Sequence, residues 1–409
     1  MARGRQGGDG SEESDRMSDT QMPLTGLKVV EFTHMVMGPS TGLILGDMGA
    51  DVIRVEPIGG DRTRRLLGSG AGYYPMYNRN KRSVCLDLKS DGGIAAARAL
   101  AADADIVVEN FRPGALDRLG LGYDALSADN PGLIYCSAKG FLAGPYEDRT
   151  ALDEVAQMMG GLAYMTGPPG RPLRAGASVI DVTGGMFGVI GILGLLERRH
   201  RTGQGGQVKC SLFETTAFLV GQHMAQKAVT GTAAAPMPAR ISAWAIYDVF
   251  ATAGDGQVFV GVVSDQQWAS FCTAFALDDF ASDPTLALNN DRVRARDRIL
   301  PQIRALFATL DSAALLAKCE AIGLPVAPIA RPEDLFDDPH LNAKGGLVDL
   351  QLPGGTAARL PALPIEVDGE RFGVRHDLGE PGADSRTLLL AAGLSAETVD
   401  AMFASGAAA

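Results

Sequence analysis

The chain carries no metal-binding signature: its five cysteines, Cys85, Cys136, Cys210, Cys272 and Cys319, lie far apart, with no CxxC pair and no Cys/His cluster. An odd, scattered count excludes a disulfide framework and a zinc module, and predicts reduced thiols in a cytoplasmic protein. Basic charge is in deficit as well. A net charge of −11 argues against a nucleic-acid surface. The longest apolar stretches, such as Met186 to Leu196, are too short and glycine-rich to predict a membrane span. Residues 1–22 lack an apolar core and contain several acids, so they fit neither a signal nor a transit peptide and read as a disordered tail. The dinucleotide fingerprint G-x-G-x-x-G is missing too; after the first apolar run the loop reads THMVMGPS.

What is present is ample for an enzyme. At 409 residues, two domains are the default. LKVVEFT (27–33), a helix opened by Gly38-Pro39 and DVIRVE (51–56) make a βαβ unit, which implies an α/β fold with a parallel sheet and a ligand at the carboxyl ends of its strands. Further strands are read at SVCLDL, DIVVEN, LIYCSAKG and GGQVKCS. Glu56 ends the second strand where a nicotinamide enzyme would place a ribose ligand. Lys81, Arg82, Lys89, Arg112, Arg118 and Lys139 recur beside strands and suggest an anion-binding rim. A proline- and alanine-rich shift near Ala233 marks a linker into a second domain, with a hairpin through Gly254-Asp255-Gly256. The resulting division is a large domain over 23–232, a smaller α+β domain over 233–345 and a return over 346–409.

The stretch from Gly176 to Gly206 draws these parts together. An apolar, β-branched run ends at Asp181, Gly184 and Gly185 follow, and small and apolar residues continue to a basic cluster and Gly203. This reads as a carboxylate at the mouth of a buried helix, where unpaired N–H groups would keep it ionised and stabilise a neighbouring oxyanion. Asp181 is then either a nucleophile or an N-cap. Asp153 and Glu154 open another helix, where acids complement the helix dipole.

Five blocks in order, PLTGLKVVEFTHMVMGPSTGLILGDMGADVIRVEP, NRNKRSVCLDLK, ENFRPGALDRLGLGY, IYCSAKGF and the Asp181 to Gly206 stretch ending ERRHRTGQGGQV, resemble the class III (CaiB/BaiF) CoA-transferases over nearly the whole chain from Pro23. That family includes formyl-CoA transferase, carnitine CoA-transferase and α-methylacyl-CoA racemase. The resemblance implies a Rossmann-like large domain built from both chain ends, a smaller middle domain and an interlinked homodimer. It implies Asp181 as the nucleophile, forming an aspartyl-CoA thioester, with acyl-CoA and a small organic acid as partners, no tightly bound cofactor and no metal. Family positions that hold CoA match His34, Met35, Val36, Met37, Leu86, Lys89, Asn110, Phe111, Ala115, Arg118 and Lys139.

The sequence also departs from that family. Leu152 stands where the racemase branch has a histidine, so an acyl-CoA racemase would need Asp153 as its second base. The glycine-rich loop of formyl-CoA transferase is replaced by PMPARISAWAIY, whose Arg240 could pair with the second carboxylate of a dicarboxylic acid. Residues Asp265 to Trp268 are expected at the acyl pocket. A nicotinamide oxidoreductase and a non-catalytic CoA-binding scaffold complete the alternatives.

Overall fold

The computed structural model describes residues 22–409; the tail expected over 1–22 lies, Met22 apart, outside the described residues. Six short, largely β-branched segments, β1 (Lys28–Phe32), β2 (Asp51–Glu56), β3 (Lys81–Cys85), β4 (Ile106–Glu109), β5 (Ile134–Lys139) and β6 (Gly206–Ser211), form one sheet in the order β3-β2-β1-β4-β5-β6. Every neighbouring pair is parallel, so each connection crosses over. Helices α1 (Met37–Asp47), α2 (Asp91–Ala102) and α3 (Tyr123–Asp129) lie in the crossovers after β1, β3 and β4. The order reverses between β1 and β4, and the crevice outside their carboxyl ends is where such sheets bind ligands.

The link from β5 to β6 is the long one. It holds α4 (Asp153–Met159) and α5 (Val179–Thr202); α6 (Leu212–Leu219) and α7 (Gly221–Thr230) follow β6. At 24 residues, α5 far exceeds the apolar run read from the sequence, and by length and composition it reaches what a membrane crossing requires. Its inner face, including Ile180, Val189, Ile192 and Leu196, joins α1 and the sheet in one core cluster. The approach to α1 is glycine-dependent. A Cβ on Gly185 would sit 2.3 Å from Ser40 Oγ and 2.9 Å from the Met37 carbonyl oxygen, while one on Gly194 meets open space. Gly185→Ala is therefore expected to lose about 1–2 kcal/mol, overpacking outweighing helix propensity, and Gly194→Ala to gain roughly 0.5–1 kcal/mol, both measured by urea unfolding. Equal effects at the two positions would contradict this packing.

Contacts divide the chain into two units, Ala234–Asp337 and the remainder. The smaller unit ends earlier than the expected residue 345, because 338–345 belongs with the return: Arg359 Nη2 donates to Asn342 Oδ1 at 2.5 Å. Within the smaller unit, β7 (Tyr247–Ala251) and β8 (Gln257–Gly261) form the expected hairpin. Helices α8 (Asp265–Ala274), α9 (Arg296–Phe307) and α10 (Ser312–Ala321), with β9 (Val326–Pro328) paired to β8, enclose a core of Phe250, Trp268, Phe271 and Phe307. The return contributes the hairpin of β10 (Leu347–Gln351) and β11 (Ala357–Pro361). It ends in α11 (Ser385–Ala391) and α12 (Ala396–Ser405), whose Leu388, Val399 and Met402 cover the sheet face carrying Val30, Val84 and Val107.

Candidate active site

The Ser-Val-Ile run before Asp181 begins α5 rather than ending a strand, which makes Asp181 the third residue of that helix. It is not the N-cap. Ser178 holds that position and its side chain makes no capping hydrogen bond. The cap comes from Asp153, the first residue of α4, whose Oδ2 accepts from the backbone N–H of Ile180 at 2.9 Å and of Asp181 at 3.2 Å. Its other oxygen accepts from Gln157 Nε2 and lies 3.4 Å from Arg174 Nη2. Gln157 Oε1 accepts from Ala175 N at 2.8 Å, and Arg174 donates to the Ala177 carbonyl and pairs with Glu154. The approach to the helix is thus tied down from two sides. Asp153 does not merely complement its own helix; it supplies the partners that the start of α5 lacks.

Two expectations change with this geometry. The unpaired N–H groups expected beside Asp181 for an oxyanion are not those of Gly184 and Gly185, which lie inside the helix with their amides committed to the helical ladder. Nor does the helix end hold Asp181 ionised, since Asp153 takes the nearest amides. Burial first, then the negative charges of Asp153 and Glu154, push Asp181 up to about 7, opposed by Arg174. A carboxyl group so placed is a stronger base than an ordinary aspartate and still substantially ionised near neutrality.

Asp181 lines a cleft of about 170 Å³ together with His34, Met35 and Val36 of the β1–α1 loop, Met37 at the start of α1, Asn110 after β4 and Lys139 at the end of β5. The loop is shaped by its neighbours. Asn110 clasps His34, donating from Nδ2 to its carbonyl at 2.8 Å and accepting its N–H at 2.9 Å. Met35 takes a left-handed φ of 61°, and its N–H donates to Thr63 Oγ1. Phe111 stands 5.5 Å from the His34 ring, whose pKa is lowered by burial. Lys139 donates to the Phe111 carbonyl at 2.8 Å and pairs with Glu109 at 2.6 Å. The same lysine borders a second cavity of about 290 Å³, lined also by Arg112, Ala115 and Lys209. Arg118 is exposed beside Gly114 on that turn.

Not every expected residue gathers here. Leu86 is 1% exposed and belongs to the core, and Lys89 sits on an exposed turn; neither lines these two cavities. Lys81 and Arg82 are no rim. Lys81 is buried against Glu31 at 2.9 Å, and Arg82 pairs with Asp51. Glu56 is not open to a ribose: it is buried, gripped by Arg64 and bonded to Ser83 Oγ at 2.7 Å. In the smaller unit Asp265 pairs with Arg292, and Trp268 is a core residue stacked on Phe280. Three residues went unread. Tyr73 and Arg174 line the cleft and Gln157 holds Asp153, and only the four-residue spacing of Asp153 and Gln157 on a helix was available to signal any of them.

Among the described residues no group of three His, Cys, Asp or Glu side chains is placed to hold a metal ion. The arrangement offers one basic carboxylate at a helix start, beside a loop at the switch point of a parallel sheet. Comparison with known proteins places the chain in a family. The profile of CoA-transferase family III matches residues 24–385. The chain is similar to a succinate–glutarate CoA-transferase of Agrobacterium fabrum, 34% identical over 378 residues, 89% of this chain and 94% of that protein. It is likewise similar to an acetyl-CoA:oxalate CoA-transferase of Acetobacter aceti, 35% identical over 85% of this chain and 90% of that one. A solved structure of a CaiB/BaiF family protein from Brucella suis superposes with a TM-score of 0.80 at 32% identity, covering 91% of this chain and 99% of the other. The chain belongs to CoA-transferase family III and is a CoA-transferase.

Proposed function

We propose that this enzyme moves coenzyme A from an acyl-CoA donor to a small dicarboxylic acid through a covalent intermediate on Asp181. The carboxylate attacks the thioester carbonyl, the C–S bond breaks and CoA leaves as its thiolate, giving a mixed anhydride. The thiolate then attacks the aspartyl carbonyl and expels the donor acid, leaving an aspartyl-CoA thioester. The acceptor acid reverses both steps. Each exchange is between acyl groups of comparable reactivity, which suits a carboxylate nucleophile. The observation that carries this reading is Asp181 in the cleft with a pKa raised to about 7. The dicarboxylic acceptor is supported by the acids for which the relatives are named, glutarate, oxalate and mesaconate among them. A racemase is less well supported, because both oxygens of Asp153 already accept hydrogen bonds or face Arg174.

The test is mass spectrometry of the intact protein mixed with succinyl-CoA, followed by hydroxylamine trapping and peptide mapping. A hydroxamate at Asp181 is the expected result; its absence with every donor, together with solvent-deuterium exchange at an acyl α-carbon, would favour the racemase.

The same reading includes a homodimer and CoA contacts from the β1–α1 loop, Asn110, Phe111, Ala115, Arg118 and Lys139. The dimer is supported by apolar side chains left open on α5, α6 and α7: Ile190 is 61% exposed, Phe218 71% and Val229 85%, and α7 buries none of its residues. A cytoplasmic setting is supported by five free, buried thiols.

A further inference from the structure

The smaller unit contains a cavity lined entirely by its own residues. It measures about 630 Å³ and is bordered by the 237–242 segment, the start of β7 and the stretch from Val293 to Arg304. Four arginines line it, Arg240, Arg294, Arg296 and Arg304, against two acids, Asp248 and Asp297. Arg294 is paired with Asp291 at 2.6 Å and Arg304 with Asp248 at 3.4 Å. The other two are different. Among the described residues neither Arg240 nor Arg296 forms an ion pair, although both are half-buried in a chain where acids outnumber bases 48 to 37. Arg296 spends Nε on the Ala245 carbonyl at 3.2 Å, and Arg240 Nη1 meets the thioether sulfur of Met237.

Two half-buried guanidinia without carboxylates leave charge and donors unmatched, and a bound anion matches both. The cavity wall holds no lysine, only arginine, whose planar fork is complementary to a carboxylate. Met237, Ile241 and Leu300 add apolar surface suited to a short carbon chain. Asp248 and Asp297 on the same wall repel a compact dianion more than a ligand whose two charges stand apart. We propose that this cavity is a binding site for a small dicarboxylic acid, held at its carboxylates by Arg240 and Arg296. The assignment goes beyond the transfer reaction and does not depend on it.

Both tryptophans of the chain, Trp244 and Trp268, lie in this unit, and Trp244 packs 4.9 Å from Tyr247, which lines the cavity. Their fluorescence therefore reports on this unit. Titrating the full chain with succinate or glutarate is expected to give a saturable change that Asp181→Asn leaves unaltered. Arg240→Gln or Arg296→Gln should weaken it about tenfold or more, with Arg→Lys intermediate, because a fork-to-carboxylate pair is replaced by a weaker one. Acetate should bind weakly. Circular dichroism of each variant separates lost binding from lost fold. No saturable change in the wild type, or an unaltered titration in a folded Arg240→Gln/Arg296→Gln double variant, overturns the site. Inorganic phosphate binding as tightly as succinate, and lost in the same variants, overturns the dicarboxylate class. Absence of transfer in the wild type with this titration intact would count against the transferase mechanism alone.

Discussion

Asp181→Asn is expected to abolish CoA transfer, by roughly 10⁴-fold or more, while making the folded chain more stable above neutral pH. The loss follows from removing the atom that forms the covalent bond. The stabilisation follows from linkage. Asp181 has a folded pKa near 7, against an ordinary carboxyl value near 3.8. Between those values the folded chain holds a proton that the unfolded chain has released, so stability declines as pH rises through this window. By pH 8 the whole cost of burying the charge is present, and a neutral asparagine does not carry it. Asp181→Asn should then exceed the wild type by on the order of 2 kcal/mol at pH 8, with the gap closing as pH falls toward 4. Denaturant unfolding at several pH values alongside a transfer assay measures both. An inactive variant that is also less stable at pH 8 would show that Asp181 supports the fold rather than the chemistry.

Adduct formation at Asp181 should rise with pH about a midpoint near 7, since only the ionised carboxylate attacks the thioester. Asp153 and Glu154 on α4 raise it, Arg174 lowers it, and burial contributes most. Tyr73 shares the cleft, and Tyr77 is itself raised in part by Asp181. Asp153→Asn keeps an oxygen able to accept from Ile180 and Asp181 but removes a negative charge, so the midpoint should fall to about 6. Arg174→Gln should move it the opposite way. The wild type and both variants are compared in single-turnover adduct formation from pH 5 to 9. Shifts of opposite sign are the result that identifies an electrostatic coupling; a midpoint unmoved in both would leave Asp153 a cap and nothing more.

The strands of the parallel sheet were legible because β-branched runs bounded by glycine turns are local signals, and LKVVEF and DVIRVE carry them without outside help. The β1–α1 loop and Asn110 were named by the family resemblance, and the sheet accounts for where they lie: in a parallel sheet, whatever follows a strand lies at its carboxyl edge. Charge was harder to read. Lys81 looks like a surface cation in NRNKRS, yet its partner Glu31 is fifty residues away and the two meet only because β3 lies two strands from β1. Glu56 shows the converse, an acid at the right place for a ligand that is consumed by Arg64 and Ser83 instead.

The helix of Asp181 divides the two kinds of information most clearly. Composition and order alone determined that an apolar, glycine-bearing helix with a carboxylate at its mouth follows the fifth strand, because hydrophobic pattern and glycine spacing are properties of adjacent residues. Only the tertiary structure decided where that helix begins and how basic its carboxylate is. The cap on α5 comes from Asp153 on another helix, and the charge balance around Asp181 is set by Asp153, Glu154 and Arg174 across distances at which proximity in space, and not along the chain, fixes the electrostatic energy.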